Sequence, residues 1–317
     1  MSLQTRSEIL QEIGTELRAG VLAYVTGDRE NLQAEVSADV LRRLPRHLEA
    51  IEKRERLALV LYTLGGDVNT PWPFVNFLRA YCDELYVLVP FWAHSAGTLI
   101  ALGADRIYMT RFGTLSPIDP SVTNEFNPYD SANADERIPI AVEDVLAFFQ
   151  LASEHGSDET DAFRQLAESV HPLALGNVKR SIEQIWQLAK KLVRLHSPDV
   201  DDAALEALVM RLTTELYSHS HLISRTEAAS FGLPVEQPSE RLEDRLLAYY
   251  EQLKADLDLL DTFDPAGMLQ ARSELPVVLE RAYLETPDTC DAFVTRGVIS
   301  PEPPTLEVTS ERWETTA

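Results

Sequence analysis

Apolar runs of strand length alternate with segments of helical spacing over the first 110 residues. Residues 4–19 carry apolar positions at helical intervals, and 20–25 (GVLAYV) reads as a short strand. Ser37 offers an N-cap for a helix reaching about residue 52. Strand 57–63, helix 71–82, strand 85–90, helix 95–104 and strand 106–109 follow. The strands are almost wholly apolar rather than alternating, as strands are when helices cover both faces of a sheet. Repeated strand–helix units of this length predict an α/β fold built on a parallel sheet.

Beyond residue 110 the pattern changes. Residues 110–140 are rich in Pro, Asn, Asp and Ser and predict a long loop, and 141–217 read as mostly helical. Residues 219–224 (HSHLIS) form a short extended piece, and 224–232 a helix with Glu227 at the capping-box position and Gly232 as its stop. An acidic helix is expected over 239–262, within a small helical C-terminal extension ending near residue 300, and 301–317 read as a disordered tail.

Size and composition add limits. A chain of 317 residues with 45% hydrophobic and 25% charged residues can bury a substantial core. Its 28 basic against 51 acidic residues leave a net charge of −23, which opposes binding to nucleic acid or to anionic membrane surfaces. Cys82 and Cys290 are too few for a disulfide scaffold, so a reducing, cytoplasmic setting is expected. The N-terminal segment is charged unlike a signal peptide, and the apolar run 85–93 is far short of a membrane span. No zinc or phosphate-loop spacing occurs, so neither metal nor cofactor is expected.

Two strand ends carry the candidate chemistry. Strand 85–90 leads into His94-Ser95-Ala96-Gly97 and then a helix, which puts a hydroxyl at a helix N-terminus, where orphan N–H groups favour developing negative charge. Strand 57–63 breaks at Leu64-Gly65-Gly66-Asp67, and glycines there let backbone N–H groups face a substrate. One turn would present a nucleophile and the other oxyanion donors. The bland alternative for Ser95 is an ordinary helix N-cap, for Gly97 close helix packing, and for His94 a cleft or packing residue.

The pieces TLGGDV, AHSAGTLIALGADRIYM, FGTLSPIDP and ISRTEAASFGLP resemble the Clp protease and crotonase superfamily, and in order and spacing the serine dehydrogenase proteinase family above all. Signal peptide peptidase A is a more distant relative. The resemblance covers about residues 15–235 and implies a Clp/crotonase-like serine peptidase domain over 1–238. It implies a Ser95 nucleophile and an oxyanion hole from the N–H groups of Gly65, Gly66 and Ala96. In the Clp pattern a histidine follows the serine and an aspartate comes later. Here Asp119 stands in the first place, and His219 and His221 stand near the second. The two roles look exchanged, which triad chemistry tolerates. His219 is the favoured base and His221 the alternative, with His171 as a rival. Lys179 is what a Ser–Lys dyad would need. The fold implies homo-oligomers, and the activity implies peptide or unfolded protein substrates. Rival functions are a crotonase-like acyl-thioester enzyme and a non-catalytic assembly protein.

Overall fold

The computed structural model describes all residues except 1–2, 119–120, 123–124, 130–136, 139, 217–219, 271, 302 and 317. The chain divides into two compact units, one of residues 1–116 with 222–317 and one of residues 117–221.

The first unit begins with α1 (Leu3–Leu17), β1 (Gly20–Thr26), α2 (Leu44–Ile51), β2 (Arg54–Tyr62), α3 (Pro71–Arg79) and β3 (Cys82–Val89). It continues through β4 (Trp92–Ala93), α4 (Ala96–Leu102), β5 (Arg106–Met109) and β6 (Thr114–Leu115). The second unit holds the short pair β7 (Ser121–Val122) and β8 (Ile140–Ala141), and helices α5 (Val142–Glu154), α6 (Glu159–Ser169), α7 (Pro172–Arg194) and α8 (Asp202–Met210). The chain then returns to the first unit as β9 (Ile223–Ser224), α9 (Arg225–Ser230), β10 (Val235–Glu236), α10 (Glu240–Asp256), α11 (Pro265–Leu269), β11 (Leu275–Glu285), β12 (Cys290–Pro301) and β13 (Pro304–Thr316).

The main sheet runs in the order β10-β5-β3-β2-β1-β11-β12-β13. From β10 to β1 neighbouring strands are parallel, and from β1 to β13 they are antiparallel. The expected α/β fold with a largely parallel sheet is therefore present. The last six residues of β2 and the last five of β3 are buried, matching their unbroken apolar sequence. On one face α1 and α10 supply fully buried Leu10, Ile13, Leu246, Tyr249 and Leu253. Each such leucine or isoleucine contributes about 1.5–3 kcal/mol by leaving water.

Three expectations need correction. The helical region does not extend from 239 to 262, because α10 ends at Asp256, and residues 275–301 are strands rather than a helical extension. Nor do residues 304–316 belong to a disordered tail, since they form β13, which pairs with β12 from Pro304 to Thr316 with one register shift. Its polar sequence is that of an edge strand in which Trp313 is the buried residue. Phe293 packs on Trp313 at 5.6 Å, and Arg296 pairs with Glu314 across the strands at 2.7 Å. Near residue 40 the expected single helix is a 3-10 turn over Ala38–Arg42 followed by α2. Pro45 fits the first turn of that new helix, and the Ser37 side chain caps nothing. By contrast Ser224 does cap its helix, accepting the Glu227 N–H at 3.3 Å.

Candidate active site

β2 and β3 are neighbours in the parallel sheet, so the turns that leave their C-terminal ends are adjacent. That end of an α/β sheet is where such folds bind ligands. Thr63 continues β2 and is bridged in parallel to Ala93 of β4: its N–H reaches Trp92 O at 3.0 Å, and His94 N–H reaches Thr63 O at 3.0 Å.

Ser95 occupies the N-cap position of α4, yet its side chain caps nothing, and its backbone sits at φ 50°, ψ −112°. The ordinary N-cap role is thereby excluded. Residues other than glycine in such sparsely populated conformations cost about 1–3 kcal/mol and persist only where their surroundings force them. A serine at the apex of a strained strand–turn–helix junction projects its hydroxyl out of the turn, as nucleophile elbows do. Among the described residues Ser95 Oγ has no hydrogen-bond partner.

Gly65 lies against this apex. A Cβ on Gly65 would stand 2.6 Å from Ser95 Cβ and 3.1 Å from Ser95 Oγ, so no side chain fits there. Its φ of 116° also favours glycine. The Gly65 N–H is used internally, donating to Thr63 Oγ1 at 3.0 Å, and Thr63 Oγ1 meets Thr26 Oγ1 at 2.6 Å. Gly65 therefore does not offer the oxyanion donor expected from the sequence.

Gly66 (φ 141°) forms a parallel bridge with Val36. Val36 N–H donates to Gly65 O at 2.7 Å, and Asp67 N–H donates to Val36 O at 2.8 Å. These bonds use the groups on either side of Gly66, so its own N–H faces away from Val36. Among the described residues no acceptor takes the N–H of Gly66 or that of Ala96, which opens α4. Asp67 locks the turn, accepting the Asn69 N–H at 3.0 Å and the Thr70 hydroxyl at 2.8 Å. Burial pushes its carboxyl pKa up, but those hydrogen bonds outweigh burial and hold it below the usual carboxylate value.

Sequence reasoning missed Ser116. Its Oγ accepts the Ser95 N–H at 2.8 Å, and its own N–H donates to Thr98 Oγ1 at 3.1 Å. The only sequence signal was a hydroxyl at the end of an apolar strand, in the same FGTLSPIDP run as Asp119. His94 stacks on Trp92 at 5.6 Å and lies 2.9 Å from Thr114 Oγ1, in keeping with a packing role.

The structure thus brings together Ser95, Gly65, Gly66, Ala96 and Ser116. Asp119 and His219 lie outside the described residues, and His221 belongs to the second unit. His171 caps α7, its Nδ1 accepting the Leu173 N–H at 3.2 Å, and its ring stacks on Phe126. Lys179 is 71% exposed and pairs with Glu183 at 3.2 Å. A lysine that serves as a base is desolvated, and this one stands in solvent. Among the described residues no cluster of His, Cys, Asp and Glu could hold a metal ion, and no helix is long and apolar enough to cross a membrane.

Comparison with known proteins finds similar chains and a family match. Two uncharacterized proteins of Methanocaldococcus jannaschii are similar. One is 27% identical over 207 residues, covering 65% of this chain and 63% of its own length. The other is 23% identical over 194 residues, covering 61% of this chain and 56% of its own length. The chain therefore spans less than two thirds of either relative. Among solved structures, a mutant of a membrane-bound stomatin-specific protease is 20% identical and covers 45% of this chain and 69% of its own. Its TM-score of 0.28 is too low for the two folds to be compared element by element. Residues 31–144, which hold both turns, Ser95 and Ser116, match the family described as ClpP-like SDH-type serine proteinases.

Proposed function

We propose that this protein is a serine peptidase acting on peptides or unfolded protein segments, with Ser95 as nucleophile. The observation that carries the reading is the strained Ser95 backbone with the Gly65–Gly66 turn packed against it. Ser95 Oγ attacks the substrate carbonyl while a histidine takes its proton. The N–H groups of Gly66 and Ala96 bind the resulting oxyanion. The histidine then protonates the leaving amine as the acyl-enzyme forms, and water releases the acyl group by the same steps in reverse order of partners. In this reading His219 is the base, with His221 as the alternative, and Asp119 orients it and stabilises its imidazolium form. We further propose that the protein works as a homo-oligomer, on the strength of the family match alone.

A crotonase-like acyl-thioester enzyme would use the same two donors, but it would have no use for a strained serine between them. A non-catalytic assembly protein would have no use for either.

A fluorophosphonate probe tests the reading, because only an activated serine is labelled. Mass spectrometry should find the adduct on Ser95 in the folded full-length protein, and Ser95→Ala should stay unlabelled. A folded protein that resists the probe at Ser95 while accepting an acyl-CoA substrate would favour the thioester reading instead.

A further inference from the structure

The hydroxyls beneath Ser95 are linked to one another. Ser116 Oγ accepts the Ser95 N–H at 2.8 Å. Thr98, one turn into α4, accepts the Ser116 N–H at 3.1 Å, and its hydroxyl lies 2.9 Å from Ala93 O and 3.0 Å from Ser116 O. A hydroxyl carries one proton and can accept besides, so Thr98 donates to one of these carbonyls while receiving the amide. Thr98 is fully buried and Ser116 is 3% exposed, so water cannot replace either partner. The strand before the nucleophile, the helix after it and the end of β6 are thereby tied to one point.

That point controls the strained residue. Ser95 C=O is held by the Leu99 N–H at 3.1 Å, and Gly65 walls its Cβ. The N–H is the remaining backbone group, and Ser116 holds it. We propose that Ser116, itself fixed by Thr98, is a positioning residue that keeps the Ser95 elbow in its strained conformation and so aims Oγ at the substrate carbonyl. The inference rests on the reading of Ser95 as nucleophile, although the clamp is a structural claim with its own readout. It also assigns the Ser95 N–H a structural role, which leaves the oxyanion to Gly66 and Ala96. Without the Ser116 hydroxyl the peptide joining His94 and Ser95 can turn towards a relaxed φ, and Oγ leaves the line of attack. Ground-state binding of the substrate does not depend on that line, so the loss falls on the chemical step.

The test compares Ser116→Ala and Ser116→Thr with the wild type as purified full-length chains. Three quantities are read: fluorophosphonate labelling of Ser95, kcat and KM for peptide hydrolysis, and amide hydrogen exchange at Ser95. Ser116→Ala should slow labelling and kcat together by about 10- to 100-fold, as misplacement of a reacting group by about 1 Å does, with KM unchanged. Exchange at the Ser95 amide should quicken while that of β2 and β3 stays as it was. Ser116→Thr keeps the acceptor and should restore most of both. Wild-type labelling and turnover in Ser116→Ala would overturn the proposal, as would a threonine variant no better than alanine. Should the wild type itself resist the probe, the exchange data separate the two ideas. Lost protection at Ser95 in Ser116→Ala would uphold the clamp and sink the peptidase reading, whereas unchanged protection would sink the clamp.

Discussion

The Ser95 turn and the antiparallel half of the main sheet are held by different kinds of buried polar group. Around the turns that follow β1, β2 and β4 the buried polar groups include four hydroxyls, those of Thr26, Thr63, Thr98 and Ser116. Where the antiparallel strands join the early helices they are ionisable: Arg6, His47, Glu285 and Asp291. Arg6 reaches from α1 to Glu285 of β11 at 3.0 Å and also pairs with Asp256, its guanidinium lying 4.0 Å over the Tyr283 ring. Tyr249 donates to Glu285 at 2.7 Å. A hydroxyl can donate and accept in a tight space without a charge to desolvate, so it suits a turn that must hold an exact shape. Buried ions cost far more to desolvate, but once matched they tie together segments some 280 residues apart in sequence. Damage to the first set should therefore appear in chemistry, and damage to the second in stability.

The largest separation should come from Ser95→Ala. Turnover should fall by roughly 10⁴-fold or more, because the nucleophile is gone while the oxyanion donors remain. Thermal stability should hardly move. Ser95→Gly should be equally inactive yet more stable than the wild type by about 1 kcal/mol, since glycine adopts φ 50° without the strain. Thermal melts of the three proteins check this, and a large loss of stability in Ser95→Ala would break the comparison.

The converse change is Arg6→Met. Burial alone would lower the Arg6 pKa, but Glu285 outweighs it and raises the pKa, so the guanidinium is charged and its loss strands a buried carboxylate. Removing one partner of such a pair costs about 3–5 kcal/mol. The urea midpoint should drop accordingly, while kcat per folded molecule stays at the wild-type value. Adding Glu285→Leu should recover much of the loss, since the stranded charge is then gone. A fall in kcat with no change in the midpoint would show that the antiparallel half acts on the site.

The same contrast explains what the sequence made legible. β2 and β3 are covered on both faces, so their unbroken apolar runs announced a parallel sheet. β13 has an exposed face and an exposed edge, so LEVTSERWETT looked like solvent-loving tail, and its pairing partners were invisible in it. Ser95 stood out because strand, turn and helix are local. Its positive φ did not, because it depends on Ser116 at 21 residues' distance and on Gly65 from another strand. The glycine pair was readable as a donor turn, but which N–H is spare was not. That follows from the Thr63 hydroxyl and from the pairing of Val36, neither of which leaves a mark in the motif.

The smallest effect expected is a pH dependence that belongs to the antiparallel half alone. His47 of α2 is fully buried, with Nε2 3.2 Å from Asp291 Oδ2 and Nδ1 2.8 Å from Thr289 Oγ1. Burial lowers the imidazole pKa below its usual 6.5, and the opposing pull of Asp291 does not make up the difference. Between the depressed folded value and about 6.5 the unfolded chain then holds more protons than the folded one. The contribution is complete above about pH 6.5 and is lost as pH falls through the folded pKa, with a slope of at most ~1.4 kcal/mol per pH unit. Carboxylates elsewhere add their own acid dependence, so the informative quantity is the difference between wild type and His47→Gln in urea unfolding from pH 7.5 to 5.5. The variant should be less stable at pH 7.5 by about 1–2 kcal/mol for its lost hydrogen bonds, and the two curves should converge as the pH falls. Curves that stay parallel would mean that His47 titrates alike in both states. Turnover per folded molecule should follow the same pH profile in wild type and His47→Gln, because His47 bonds to Asp291 and Thr289 and to none of the groups that hold Ser95.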